Sequence, residues 1–175
     1  MPRPVLGIRR CRVDPEHGLH SVWKVPRLIW PAPPSPLPDA VCVQQPSAVL
    51  GVGMLAHPPK APALDCTCGY YACWSQGAKA DEYYLAHAVA EFPGIAVVGT
   101  GLLIPHEWGF RAAKLRVLAV IAPDHLVEPD DHKQLMSIAD RYGVPLVRRG
   151  GLHMLAEEHD LEVRPWTLAS QSDSP

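Results

Sequence analysis

Half of the chain's 20 prolines fall between Pro26 and Pro62. Proline has no amide proton and a fixed φ, so neither a continuous helix nor a central strand can run through that stretch. The regular elements must therefore come from what flanks it. Its richest part runs from Pro26 through Arg27-Leu28-Ile29-Trp30 to Pro38. One reading is a polyproline ligand for an aromatic groove. Trp23 and Trp30, interleaved with the prolines, favour another: an extended wrap over the domain, with the tryptophans packed inward.

The flanks carry the periodic signals. Residues 4–13 read as an opening strand, and Asp14-Pro15-Glu16-His17-Gly18 has the chemistry of a turn back into Leu19–Trp23. Tyr70–Trp74 reads as a first helical turn. A clearer helix is expected over 81–92, capped by Asp81, with Leu85, Ala88, Val89 and Phe92 on one face and Pro93-Gly94 as its stop. Ile95–Ile104 is apolar on both alternating faces, as in a strand buried on both sides. Residues 105–110 read as a turn, and Leu115–Ile121 as an antiparallel partner strand. Asp131 with Gln134 makes a capping box for a helix striped by Leu135, Ile138, Ala139 and Tyr142 and stopped by Gly143. Val144–Val147 reads as a short edge strand. Gly150-Gly151 opens a weaker helix to about Glu158. The expected fold class is α+β: a mostly antiparallel sheet with two or three packed helices and the proline-rich extended wrap. A length of 175 residues fits one domain over 1–168, followed by a polar tail at 169–175.

A formal net charge of −2 argues against a protein that coats nucleic acid by bulk electrostatics. Short basic clusters stand at Arg9, Arg10 and Arg12, at Arg111, Lys114 and Arg116, and at Arg148 and Arg149. They read as solvated faces, and a nucleic-acid-associated accessory factor is an alternative that is not favoured. The 5 cysteines are odd in number and clustered, unlike a secreted disulfide framework. The N-terminus lacks the apolar core of a signal peptide. No apolar run approaches the ~18 residues of a membrane span. The expectation is a protein of a reducing cytoplasm with no membrane contact, whose clustered cysteines mean metal binding or reactivity before disulfides.

The cluster is Cys66-Thr67-Cys68-Gly69-Tyr70-Tyr71-Ala72-Cys73. Two thiolates followed by glycine resemble a zinc knuckle, in which the glycine lets backbone N–H groups point at sulfur. The remaining ligands must come from scattered residues. The expected set is Cys42, His57, Cys66 and Cys68, with Cys73, His87 or His106 as alternatives to His57. Four protein ligands leave no open position, so the zinc would be structural. The competing reading makes these cysteines small buried hydrophobes.

His106-Glu107-Trp108-Gly109-Phe110-Arg111 is the other candidate, a possible functional turn of His106, Glu107 and Arg111. A His-Glu pair beside an arginine has the makings of acid–base chemistry. The second histidine of a His-Glu-x-x-His helix is missing, and so are the motifs of a zinc deaminase. The plainer reading is a polar turn between two core strands, with Arg111 paired to Glu107 or to a backbone carbonyl. Tyr70, Tyr71, Trp74, Tyr83 and Tyr84 add an aromatic patch that suits either core packing or a partner surface.

The same motifs carry a resemblance. Gly18, Ser21 and Trp30, Ala40-x-Cys42, His57-Pro58-Pro59, Cys66-x-Cys68-Gly69-x-Tyr71-Ala72 and Gly99 stand in order. His106-Glu107-x-Gly109-Phe110-Arg111-Ala112 and Arg141-Tyr142-Gly143-Val144-Pro145-Leu146 follow. The set, over most of residues 18–147, resembles a family of small uncharacterised proteins of actinobacteria and their bacteriophages. The resemblance implies a bacterial or phage origin and favours Cys42 and His57 as partners of Cys66 and Cys68; it carries no activity. The function expected is a small zinc-stabilised protein-binding module without catalysis. A small metallohydrolase acting around His106, Glu107 and Arg111 is the alternative.

Overall fold

A short hairpin starts the fold. Strand β1 (Val5–Asp14) turns into β2 (Gly18–Ser21), pairing antiparallel from Asp14↔Gly18 to Cys11↔Ser21. Asp14 organises the turn through its carboxylate, which accepts from the Glu16 N–H at 2.9 Å. The computed structural model describes residues 3–14, 16, 18–21, 40, 61–64, 69–76, 92–124 and 128–164. The proline-rich wrap, the C-terminal tail and, but for Phe92, the helix expected from Asp81 lie outside the described residues.

Strands β4 (Gly94–His106) and β5 (Gly109–Ala122) form one long antiparallel hairpin. Their valine- and isoleucine-rich runs suit a sheet covered on both sides. The register slips between Thr100 and Leu103. Such a bulge bends the ribbon, and the outer half of the hairpin pairs with a further strand, β3 (Tyr70–Trp74). Strand β3 also pairs with Gly7 and Ile8 of β1, while β1 pairs with β4 along its other edge. Thus β1, β3, β5 and β4 close an antiparallel ring.

The ring corrects two expectations. Tyr70–Trp74 is a strand, not a helical turn, because β1 and β5 each offer it a free edge and its aromatic residues suit a pleated surface. Strand β5 begins at Gly109, six residues before the expected Leu115, because Gly109–Ala112 supply the edge that β3 needs.

Helix α1 (Pro129–Tyr142) buries Leu135, Ile138, Ala139 and Tyr142, the stripe read from the sequence. It starts two residues before Asp131. Pro129 fills the first turn, where its missing N–H costs nothing, and the expected capping box does not form. Gly143 ends the helix in a left-handed conformation, with Val144 N–H donating to Ala139 O at 3.0 Å. Strand β6 (Leu146–Arg148) then joins β5 in parallel. A 3-10 turn (Arg149–Gly151) leads into helix α2 (Leu152–Glu158).

The period of two along β1 divides the core. Val5, Cys11 and Val13 pack with Phe110, Leu115 and the α1 stripe. Leu6 and Ile8 pack with Ala96, Val98 and Leu118 against Leu152, Leu155 and Ala156 of α2. The two helices therefore cover different faces of the sheet. Among the described residues no helix is long and apolar enough to cross a membrane.

Candidate functional site: the tip of the long hairpin

His106 closes β4 and pairs with Gly109, so only Glu107 and Trp108 make the turn. Strand β3 holds this tip. Trp74 donates its backbone N–H to Trp108 O at 3.2 Å and its indole N–H to His106 O at 3.0 Å. The Trp74 ring packs at a tilt on Phe110, with centroids 5.3 Å apart. A tight turn pinned at both ends presents its side chains in one geometry, which lowers the ordering cost of any contact they make.

Arg111 lies opposite Tyr71 in the β3–β5 register and is only 3% exposed. Its Nε–H donates to His106 Nε2 at 2.7 Å. Its guanidinium lies 5.9 Å from the centroid of the Tyr71 ring, and that ring stacks on His106 at 6.3 Å and 13°. From β1, Arg9 donates to Tyr71 O at 2.9 Å. Arg9 and Arg111 were both expected on solvated faces. Both are buried instead: Arg9 reaches the Tyr71 carbonyl from β1, and Arg111 lies against His106 and the Tyr71 ring. They add nothing to a surface stripe that would track phosphates.

The bond between Arg111 and His106 decides what the histidine can do. Guanidinium only donates, so His106 Nε2 carries the lone pair and Nδ1 the proton. Partial desolvation holds the His106 pKa below its ordinary 6.5, and the Arg111 cation adds to the effect. The imidazole is neutral at neutral pH, with its basic nitrogen engaged. A general base needs that nitrogen free to take a proton. His106 and Arg111 are thus brought together as one unit, and Arg111 Nε has a partner not among those expected from the sequence. Glu107 stands exposed in the turn.

What the tip offers outward is aromatic. Trp108 is 45% exposed and Tyr71 44%, while Leu102, in the bulge of the same strand β4, is 58% exposed. Sequence reasoning included Tyr71 in an aromatic patch but missed Trp108 as a surface residue. Its position between Glu107 and Gly109, in a turn, was the available signal.

Cys42, His57, Cys66, Cys68 and His87 lie outside the described residues. Cys73 is a half-buried cysteine in β3. Among the described residues no three His, Cys, Asp or Glu side chains gather as a metal site. Gly69, the glycine after the cysteine pair, has φ +112°, and a β-carbon there would lie 2.9 Å from Pro62 Cβ. The knuckle sequence thus ends in backbone that side-chain-bearing residues rarely adopt, immediately before β3. Compared with known proteins, the chain matches no family model, no curated protein and no solved structure.

Proposed function

We propose that the chain is a small zinc-stabilised protein-binding module, of bacterial or phage origin, whose contact surface is the tip of the β4–β5 hairpin. The observation that carries the reading is the half exposure of two large rings, Trp108 and Tyr71, at a tip that Trp74 pins through Trp108 O and His106 O. Tryptophan and tyrosine are enriched among the residues that dominate the energetics of protein interfaces. Large rings on a pinned turn bury much apolar area at little entropic cost. The fitting partner is a protein with an apolar pocket for the Trp108 indole. Zinc, held by Cys66 and Cys68 with Cys42 and His57, would tie the segment before β3 to the rest of the chain. The left-handed Gly69 supports that part. The hydrolytic alternative draws on the His106 lone pair, which Arg111 engages, and is not preferred.

The test is a photocrosslinking residue placed at Trp108 in the intact protein, expressed in a bacterial host of the kind the resemblance implies. Crosslinking to one dominant host protein is expected. The same residue at Met154, an exposed position on α2, is the control. Equal and diffuse crosslinking from both positions would overturn the reading.

A further inference from the structure

A cleft of about 440 Å³ opens where the ends of β3 and β5 meet the turn into α2. That volume lies within the usual range of small-molecule sites. It shares no residue with the hairpin tip. Leu6, Leu152 and Val163 supply an aliphatic wall. Ser75, Gln76, Asp124, Arg149 and His153 supply the polar groups, drawn from three separate stretches of the chain.

Ser75 is the informative member. It is 7% exposed, and its hydroxyl oxygen has no hydrogen-bond partner among the described residues. Hydroxyls removed from water are nearly always paired, so an orphan in the wall of a cleft marks a place where something else completes the bond. Arg149 brings a permanent positive charge with a forked donor geometry that matches a carboxylate. Asp124 brings the opposite sign, which disfavours a phosphate dianion in the same cleft and favours a donor on the ligand.

We propose that this cleft binds a small carboxylate with an aliphatic body and an adjacent hydrogen-bond donor, the chemistry of an apolar amino acid. Arg149 takes the carboxylate, with Ser75 as a hydrogen-bonding partner. Asp124 takes the ammonium, and Leu6, Leu152 and Val163 take the side chain.

The experiment is a ¹H–¹⁵N NMR titration of the full chain with L-leucine, isovalerate and inorganic phosphate in turn. L-Leucine is expected to give saturable shifts at Ser75, Gln76, Asp124 and Arg149 to His153. Isovalerate, which lacks the amine, binds the same residues about tenfold more weakly. Arg149→Gln weakens both by about tenfold or more. Asp124→Asn weakens L-leucine alone. Each variant's spectrum away from the cleft reports whether the fold is intact, and Arg149→Lys serves if Arg149→Gln does not fold. No saturable shift with L-leucine, tighter binding of phosphate at the same residues, or binding indifferent to Arg149→Gln would overturn the proposal.

Discussion

A β-carbon added to Gly7 would lie 2.7 Å from Cε1 of Phe110. The Phe110 ring occupies the middle of the four-stranded ring, and the backbone of β1 passes directly over it. Gly99 of β4 stands in the same relation, since a β-carbon there would also collide with the phenyl ring. Closing a ring of four strands leaves room for few large side chains. Phe110 fills this interior beside Trp74, and glycine on two of the surrounding strands makes the space.

The Gly7→Ala variant is therefore overpacked. A loss of about 1–3 kcal/mol is expected, read from urea unfolding. Gly7→Ala combined with Phe110→Leu should recover part of that loss, because the smaller side chain vacates the space. Additive losses in the double variant would contradict the packing described.

Alkaline pH should weaken the fold through two groups on the α1 side of the sheet. Burial pushes the Cys11 thiol up to about 12, with the nearby Arg9 cation opposing in part. Burial also raises the Tyr142 hydroxyl above its ordinary 10.0, against the opposing pull of its bond from Leu19 N–H at 2.8 Å. An acid whose folded pKa is raised binds more protons folded than unfolded, so stability falls as pH rises past the unfolded value. For Cys11 the fall begins near the unperturbed value of 9.0 and runs to about 12. Thermal unfolding midpoints measured from neutral pH upward should decline across that window. A Cys11→Ala variant should decline less steeply than the parent. Matching declines would refute the assignment to Cys11.

Acid pH acts on the hairpin tip. The folded pKa of His106 is depressed, so the neutral imidazole is the form the fold favours. Its contribution is present above the ordinary 6.5 and is lost as pH falls through that value to the folded pKa. Histidine ring ¹⁵N NMR at neutral pH should show the proton on Nδ1 and the lone pair on Nε2, shifting to the doubly protonated form only below 6.5. A proton on Nε2 at neutral pH would be incompatible with the bond from Arg111.

Elemental mass spectrometry of purified protein should find close to one zinc per chain. Cys66→Ser and Cys68→Ser should each lose the metal together with several kcal/mol of stability, since binding at a structural site is coupled to folding. Metal-free parent protein that unfolds cooperatively would show that zinc does not hold the fold.

Much of this architecture is legible locally. The α1 stripe of Leu135, Ile138, Ala139 and Tyr142, its stop at Gly143 and the apolar run of β4 are patterns within a few residues, and each recurs in the fold. What local patterns cannot show is pairing over long separations. Tyr70–Trp74 became a strand because Gly7, Ile8 and Gly109–Ala112 flank it, at separations no window spans. The capping box of Asp131 and Gln134 was a sound local signal displaced by Pro129, equally local and better placed at a helix start. His106 and Arg111 could be named from the sequence, but their mutual bond and the Tyr71 ring beside Arg111 depend on the hairpin register and on β3. Ser75, Asp124 and Arg149 carry no motif and meet only in three dimensions.

If the hairpin tip binds a protein through Trp108, the affinity for that protein depends on the indole. The partner identified by crosslinking should be titrated calorimetrically against the parent and the Trp108→Ala variant. Trp108 is half exposed in a turn, so its removal should leave stability within about 0.5 kcal/mol, checked by urea unfolding. A loss of affinity of roughly thirtyfold is expected, corresponding to the ~2 kcal/mol of an interface hot spot. Unchanged affinity in a Trp108→Ala variant of parental stability would contradict it.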